Sequence, residues 1–293
     1  MKTGWLIVNH FLKTNKFSEL YALFIRAAKG QGIALELKSG CDLLHIMGKG
    51  FTKEELPDFA LFWDKDIRLA LSLEKMGLRL FNSAHAVAIC DDKSLTHVAL
   101  AGKIPMPDTI CAPMTYDSVG YTDLSFIEKA GEQLGWPMVI KACFGSFGSQ
   151  VFLAHSQKEA AEIVKNLGAA PFIMQAFVKE SAGRDVRLQV VGGQVVAAML
   201  RYNEKGDFRA NLTAGGSMKA YTPTEAQKEM AIKACRELGL DFAGVDLLFG
   251  KNDEPILCEV NSNAHFKNLY DCTGVDIAEA IMKYIAQTID AEE

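Results

Sequence analysis

The chain has 293 residues, enough for two or three packed units. With 49% hydrophobic and 23% charged residues and a net charge of −5, the composition excludes a disordered chain and a general nucleic-acid-binding surface. No apolar run approaches the length of a membrane span, so neither a nucleic acid nor a membrane is expected as a partner.

The N-terminus carries one lysine and a short apolar run, Trp5-Leu6-Ile7-Val8, then Asn9-His10. It lacks the long apolar core and cleavage pattern of a signal peptide and reads as a first strand. Residues 5–9 are expected as strand, 16–30 as a helix with an apolar stripe (Leu20, Leu23, Phe24, Ala27), and 34–38 as strand. A buried strand follows at 58–63, a helix at 66–76 stopping before Gly77, and a short strand at 78–81. Alternating strands and helices imply a parallel sheet with helices on its faces. A helix is expected around 91–100, ended by Gly102. Strand and helix then alternate through 108–172, with strands at 137–141 and 149–155 and a helix at 156–167. From Pro171 the pattern is strand-rich (172–177, 185–191, 194–200), followed by a helix at 223–238 and a closing helix at 276–289. The resulting fold class is an α/β unit followed by an α+β body.

Two strand-like runs near the C-terminus each hold acidic residues. They are Ala243-Gly244-Val245-Asp246-Leu247-Leu248-Phe249 and Ile256-Leu257-Cys258-Glu259-Val260-Asn261. The turn-like segment 250–255 joins them, so they read as an antiparallel pair. Alternation puts Glu259 and Asn261 on one face, and Asp246 can meet them from the neighbouring strand. Three hard oxygen donors suit Mg²⁺ or Mn²⁺, above all when nucleotide phosphates complete the shell. The plainer alternative is three polar residues at strand edges.

Pro137-Met138-Val139-Ile140-Lys141 runs into Ala142-Cys143-Phe144-Gly145-Ser146-Phe147-Gly148-Ser149. A strand delivers a lysine to a loop whose glycines let backbone N–H groups approach phosphate oxygens. There is no GKS/T and no GxGxxG, so an ordinary hairpin turn stays open as an alternative. Lys93 in Asp91-Asp92-Lys93-Ser94 is a second candidate phosphate contact, although Asp92-Lys93-Ser94 also fits helix capping. The seven cysteines, at 41, 90, 111, 143, 235, 258 and 272, show no CxxC or zinc spacing. Reduced thiols in a cytoplasmic protein are expected, with Cys143 in a packing role.

The order of these blocks resembles the ATP-grasp superfamily, and most of all its RimK-type glutamate-ligase branch. The resemblance runs through Phe81-Asn82-Ser83, Asp92-Lys93, Ile104-Pro105-Met106-Pro107, Val139-Ile140-Lys141 with its glycine loop, and Met174 to Glu180. It continues through Gly183-Arg184-Asp185-Val186-Arg187, Gly206 to Asn211, Gly244-Val245-Asp246 and Cys258-Glu259-Val260-Asn261. It implies an ATP-grasp fold preceded by a Rossmann-like pre-grasp domain, divided as 1–88, 89–172 (lid) and 173–293.

The family implies ATP contacts from Lys93, Lys141, Gly145, Ser146 and Gly148. Gln175, Ala176, Phe177 and Val178 would form the adenine hinge, and Asp185 would take the ribose hydroxyls. Arg187 and Arg209 would face phosphate and the reacting carboxylate as the catalytic pair, with Asn211 beside them. Asp246, Glu259 and Asn261 would hold two Mg²⁺ or Mn²⁺. The implied reaction turns a carboxylate into an acyl phosphate with ATP, and an amine then displaces phosphate. The expected partners are ATP, a carboxylate and amine pair, and a peptide, protein or small-molecule acceptor; homo-oligomerisation is left open. The sequence departs from the family at Ala176, where Glu is common, and at Ser262-Asn263-Ala264-His265-Phe266-Lys267, where Ala-Ser-Pro-Gly is common. Arg201, Tyr202, Asn263 and His265 are therefore candidate substrate contacts. A nucleotide-binding regulatory protein without turnover and a phosphotransferase are the alternatives.

Overall fold

The computed structural model describes residues 1–145, 150–210 and 215–292. The first unit contains β1 (Thr3–Val8), α1 (Asn15–Gly30), β2 (Ala34–Ser39), β3 (Phe59–Trp63), α2 (Ile67–Lys75) and β4 (Leu80–Phe81). Its four strands are parallel, in the order β2-β1-β3-β4. Every residue of β3 is buried, as a parallel strand covered on both faces requires. α1 buries Leu20, Tyr21, Phe24, Ala27 and Ala28 on one stripe. Asp66 caps α2 by accepting from the Leu69 N–H, and Gly77 follows the helix at φ +93°.

The helix expected at 91–100 is α4 (Lys93–Leu100), and another helix, α3 (Ala84–Asp91), precedes it. Asp92 divides them: its backbone is extended (φ −98°, ψ 109°), and its carboxylate accepts from the N–H groups of Ser94 and Leu95. Ser83 caps α3 in the same manner.

The second sheet is antiparallel, in the order β5-β8-β6-β7, from β5 (Thr109–Cys111), β6 (Met138–Ala142), β7 (Val151–Ala154) and β8 (Phe172–Ala176). α5 (Ser125–Leu134) and α6 (Gln157–Leu167) cover it. Its core of Ile127, Met138, Ile140, Val164, Phe172 and Met174 shares no buried residue with the other hydrophobic clusters described. β8 lies across the expected 172/173 division and pairs with β5 and β6.

The third sheet has the order β11-β10-β9-β12-β13, all antiparallel: β9 (Arg184–Val191), β10 (Gln194–Tyr202), β11 (Ser217–Ala220), β12 (Phe242–Phe249) and β13 (Pro255–Asn261). α7 (Glu225–Glu237) precedes β12 and starts with a full capping box from Thr224 and Gln227. α8 (Lys267–Thr273) and α9 (Ile277–Glu292) end the chain. α3, α8 and β11 have no counterpart in the sequence-based expectation. Among the described residues, no helix is long and apolar enough to cross a membrane.

The first and third sheets share a core. Trp63 at the end of β3 stacks on Phe242 of β12 with centroids 5.7 Å apart and meets Phe24 and Phe266 edge-on. Asn82, fully buried, joins the two units through four hydrogen bonds. Its Nδ2 donates to the carbonyls of Phe242 (2.9 Å) and Ser262 (3.1 Å), and its Oδ1 accepts from the N–H groups of Asp241 (2.7 Å) and Phe242 (3.2 Å). Asn82→Ala strands buried backbone groups and should lower unfolding free energy by about 3 kcal/mol, read from urea midpoints. A midpoint shift within error would show that the join does not depend on this side chain.

Candidate active site

The register of the third sheet puts charge on one face. Arg187 on β9 lies opposite Asp246 on β12, and Asp246 lies opposite Glu259 on β13. Arg201 on β10 lies opposite Asp185 on β9, two residues from Arg187. Asn261 lies opposite Gly244. These side chains line a cavity of about 570 Å³ that the second sheet roofs with Lys141, Val139 and Gln175. The carboxyl ends of β1 and β3, where the first sheet's strand order reverses, contribute Asn9, Asp64 and Lys65.

The deepest part of the charged face is a quartet. Arg187 Nε and Nη2 each stand 2.7 Å from an oxygen of Asp246 in a two-pronged pair. Arg201 Nη2 lies 3.0 Å from the same carboxylate, and its Nε lies 2.6 Å from Asp185. Burial pushes the Asp246 carboxyl up, but Arg187 and Arg201 outweigh it and bring it to about 2. Burial dominates at Asp185, whose carboxyl is raised despite Arg201. Desolvation of the Arg201 guanidinium is outweighed by Asp246 and Asp185, which raise its pKa.

Lys93 sits at the first position of α4, its Nζ 3.2 Å from the Gly145 carbonyl, 3.5 Å from that of Cys143, and 3.5 Å from Glu259 Oε1. Helix capping by Asp92 and a cavity-facing Lys93 therefore coexist. Lys141 Nζ lies 3.7 Å from Cys258 Sγ. Arg209 lines the cavity with its guanidinium held by Asp207 at 2.8 and 3.1 Å.

Several expected residues have different neighbours from those implied. The Asp185 carboxylate, expected on a ribose, meets Arg201. Arg201, expected on a substrate carboxylate, lines the cavity but is 5% exposed and engaged with two aspartates. Tyr202 does not line the cavity; its ring carries Lys219 at 5.7 Å. The Gln175 side chain turns into the protein and donates to His97 Nε2 and Thr109 Oγ1, both at 2.8 Å. The Ala176 N–H is bonded to the Asp108 carbonyl, while Phe177 and Val178 line the cavity. Ser146, Gly148 and Asn211 lie outside the described residues, and Gly145 lies within them at φ +133°.

The segment after Asn261 packs tightly against the sheet. A Cβ on Gly244 would come within 2.4 Å of the Ala264 Cβ, so glycine is required there. Asn263 Nδ2 donates to the Asp64 carbonyl at 2.7 Å. His265 Nε2 lies 3.2 Å from the Lys16 carbonyl, and its ring meets Phe17 edge-on. Since a carbonyl only accepts, Nε2 carries the proton and Nδ1 presents a lone pair. Two further residues escaped sequence reasoning. His97 links α4 to β8, donating from Nδ1 to the Lys93 carbonyl at 2.8 Å and accepting from Gln175; its signal is the i, i+4 spacing from Lys93. Cys258 faces the cavity because a bulge interrupts the pairing after Asp246.

For a divalent cation, Glu259 and Asn261 supply hard oxygen donors on the cavity wall, and the Asn261 Nδ2 is buried with no protein partner. No group of three His, Cys, Asp or Glu side chains among the described residues forms a metal cage. Two such donors fit a cation that takes most of its shell from phosphate oxygens.

Burial pushes His265 down from 6.5 to about 4, more than its bond to the Lys16 carbonyl offsets. A depressed folded pKa gives stability that is full above pH 6.5 and lost as pH falls through about 4. His265→Gln should therefore flatten the stability profile between pH 7 and 4, measured by urea melts. A slope equal to the parent's would exclude His265 as a source.

A family model described as the RimK-like ATP-grasp domain matches residues 90–285. N-acetylaspartylglutamate synthase A from Homo sapiens is 36% identical over 223 residues, covering 75% of this chain and 56% of its own. Beta-citrylglutamate synthase B from Danio rerio is 35% identical over 226 residues, covering 76% and 54%. The chain thus spans about half the length of these curated relatives. The crystal structure of a RimK domain ATP-grasp protein from Sphaerobacter thermophilus DSM 20745 superposes with a TM-score of 0.73 at 21% identity, over 97% of this chain and 99% of that one, which shows the fold. The chain has the ATP-grasp fold and belongs to the RimK-like ATP-grasp family.

Proposed function

We propose that the chain is a carboxylate–amine ligase that uses ATP and a divalent cation to form an amide through an acyl phosphate. The observation that carries this reading is one cavity lined together by Lys93 from α4, Lys141 from the second sheet, Arg187, Glu259 and Asn261 from the third sheet, and Arg209. Cations for phosphate and oxygen donors for a metal meet there, in a chain of the RimK-like ATP-grasp family.

A carboxylate cannot expel hydroxide at neutral pH. In the proposed reaction its oxygen attacks the γ-phosphorus of ATP, and ADP leaves. The amine then attacks the acyl carbon, phosphate leaves, and the nitrogen loses a proton. Lys93 and Lys141 would neutralise phosphate oxygens, since positioning and charge carry most of the catalysis of phosphoryl transfer. Arg209 would stabilise the oxyanion of the tetrahedral intermediate, and Arg187 would face the transferring phosphoryl group. A cation bound by Glu259, Asn261 and Asp246 would further neutralise the triphosphate. No protein nucleophile is required. Phe177 and Val178 on the cavity wall support an adenine site there, and Asn263 and His265 support an amine subsite.

The relatives' names guide the choice of substrates: L-glutamate as amine, with N-acetylaspartate and citrate among the carboxylates. ADP and orthophosphate should appear in step with the amide when Mg²⁺, ATP, L-glutamate and a carboxylate panel are supplied, with hydroxylamine as a trapping amine. ATP bound without turnover on any carboxylate would favour the regulatory alternative, and transfer without orthophosphate would favour a phosphotransferase. Arg209→Met should lower kcat about 100-fold with ADP affinity retained. Glu259→Gln should lower metal-dependent turnover by a similar factor of about 100 without changing the melting temperature.

A further inference from the structure

Two cations that the proposed function assigns to phosphate rest on two carboxylates that it assigns to metal. Arg187 occupies both oxygens of Asp246, at 2.7 Å each. Lys93 Nζ stands 3.5 Å from Glu259 Oε1. Neither arrangement is a loose surface pair: the side chains are 17% and 6% exposed in the first, 11% and 30% in the second. Arg201 differs, because Asp185 holds it as well as Asp246. With two aspartates and two arginines, the quartet is balanced without any ligand.

We infer that Lys93 and Arg187 are built-in counterions of the metal site, and that metal and nucleotide enter together by exchanging partners with them. This rests on reading the cavity as the metal–nucleotide site. A metal ion arriving alone displaces both cations from their carboxylates, leaving Arg187 without its two-pronged partner and Lys93 with only the neutral carbonyls of Gly145 and Cys143. A metal-free nucleotide draws the same cations to its phosphates and leaves Asp246 with Arg201 alone, shared with Asp185, and Glu259 without its Lys93 counterion. Breaking one side of a buried ion pair is far costlier than trading both sides at once. When both ligands arrive, the carboxylates take the metal and the cations take the phosphates, so no charge is stranded. Arg201 stays on Asp185 and keeps Asp246 in place. Each ligand therefore strengthens the other beyond their own affinity in solution.

The test is a Mn²⁺ titration of the full chain, followed by electron paramagnetic resonance with and without ADP and corrected for Mn·ADP in solution. The parent protein should bind Mn²⁺ weakly alone and at least tenfold more tightly with ADP. In Arg187→Met and, independently, in Lys93→Met, Mn²⁺ affinity without ADP should rise at least tenfold, because a competing cation is gone. ADP affinity in EDTA should fall in both. Using two separate pairs keeps the test decisive if one variant fails to fold. Unchanged or weaker Mn²⁺ binding in the folded variants, with ADP-dependent binding in the parent, overturns the exchange alone. No Mn²⁺ binding by the parent even with ADP overturns the metal site, and the exchange with it.

Discussion

The two-pronged pair between Arg187 and Asp246 is the interaction around which the rest of the site is arranged. It lies on an inner face of the third sheet, where an isolated carboxylate would be strongly disfavoured. Arg201 and Asp185 complete the balance from the adjacent strand pair. Antiparallel register makes this possible, because residues opposite one another in β9, β10 and β12 project to one side. A one-residue slip in any of these strands would bury a lone charge among Val186, Leu188 and Val245, so the charges also fix the register.

The other units bring chemistry to that face. The first sheet offers the carboxyl ends of its strands, tied to the third through Trp63, Phe242 and Asn82. The second sheet arrives from the opposite side with Lys141, and α4 arrives with Lys93. His97 connects these two supports. Its ring bridges the Lys93 carbonyl and the Gln175 amide, so the start of α4 and the end of β8 hold a common position. Burial lowers the pKa of His97, which keeps it neutral and able to accept from Gln175.

The order of strands and helices was legible in the sequence because apolar periodicity carries it, and the Asp246, Glu259 and Asn261 face was legible from alternation and a turn. What escaped depended on distant registers. Nothing in the local sequence tells Asp246 that Arg187, 59 positions away, will meet it. Gln175 falls in an expected hinge, yet its amide turns inward because β8 alternates and His97 waits beneath. Asn9 and Asp64 are single polar residues after apolar strands, and only the strand order of the first sheet brings them to the cavity. α3 escaped because its short apolar run, Ala84 to Cys90, shows no clear polar-and-apolar helical stripe.

The second sheet's separate core has a consequence for how the molecule comes apart and how it can change. A unit whose buried residues are its own can open while the rest stays folded, as a distinct cooperative block. Substitutions among Ile127, Ile140 or Val164 then act on the roof of the cavity without loosening the wall that bears the charged quartet. Roof and wall are in this sense separately adjustable, and selection can alter how long the cavity stays covered while leaving its charge arrangement intact.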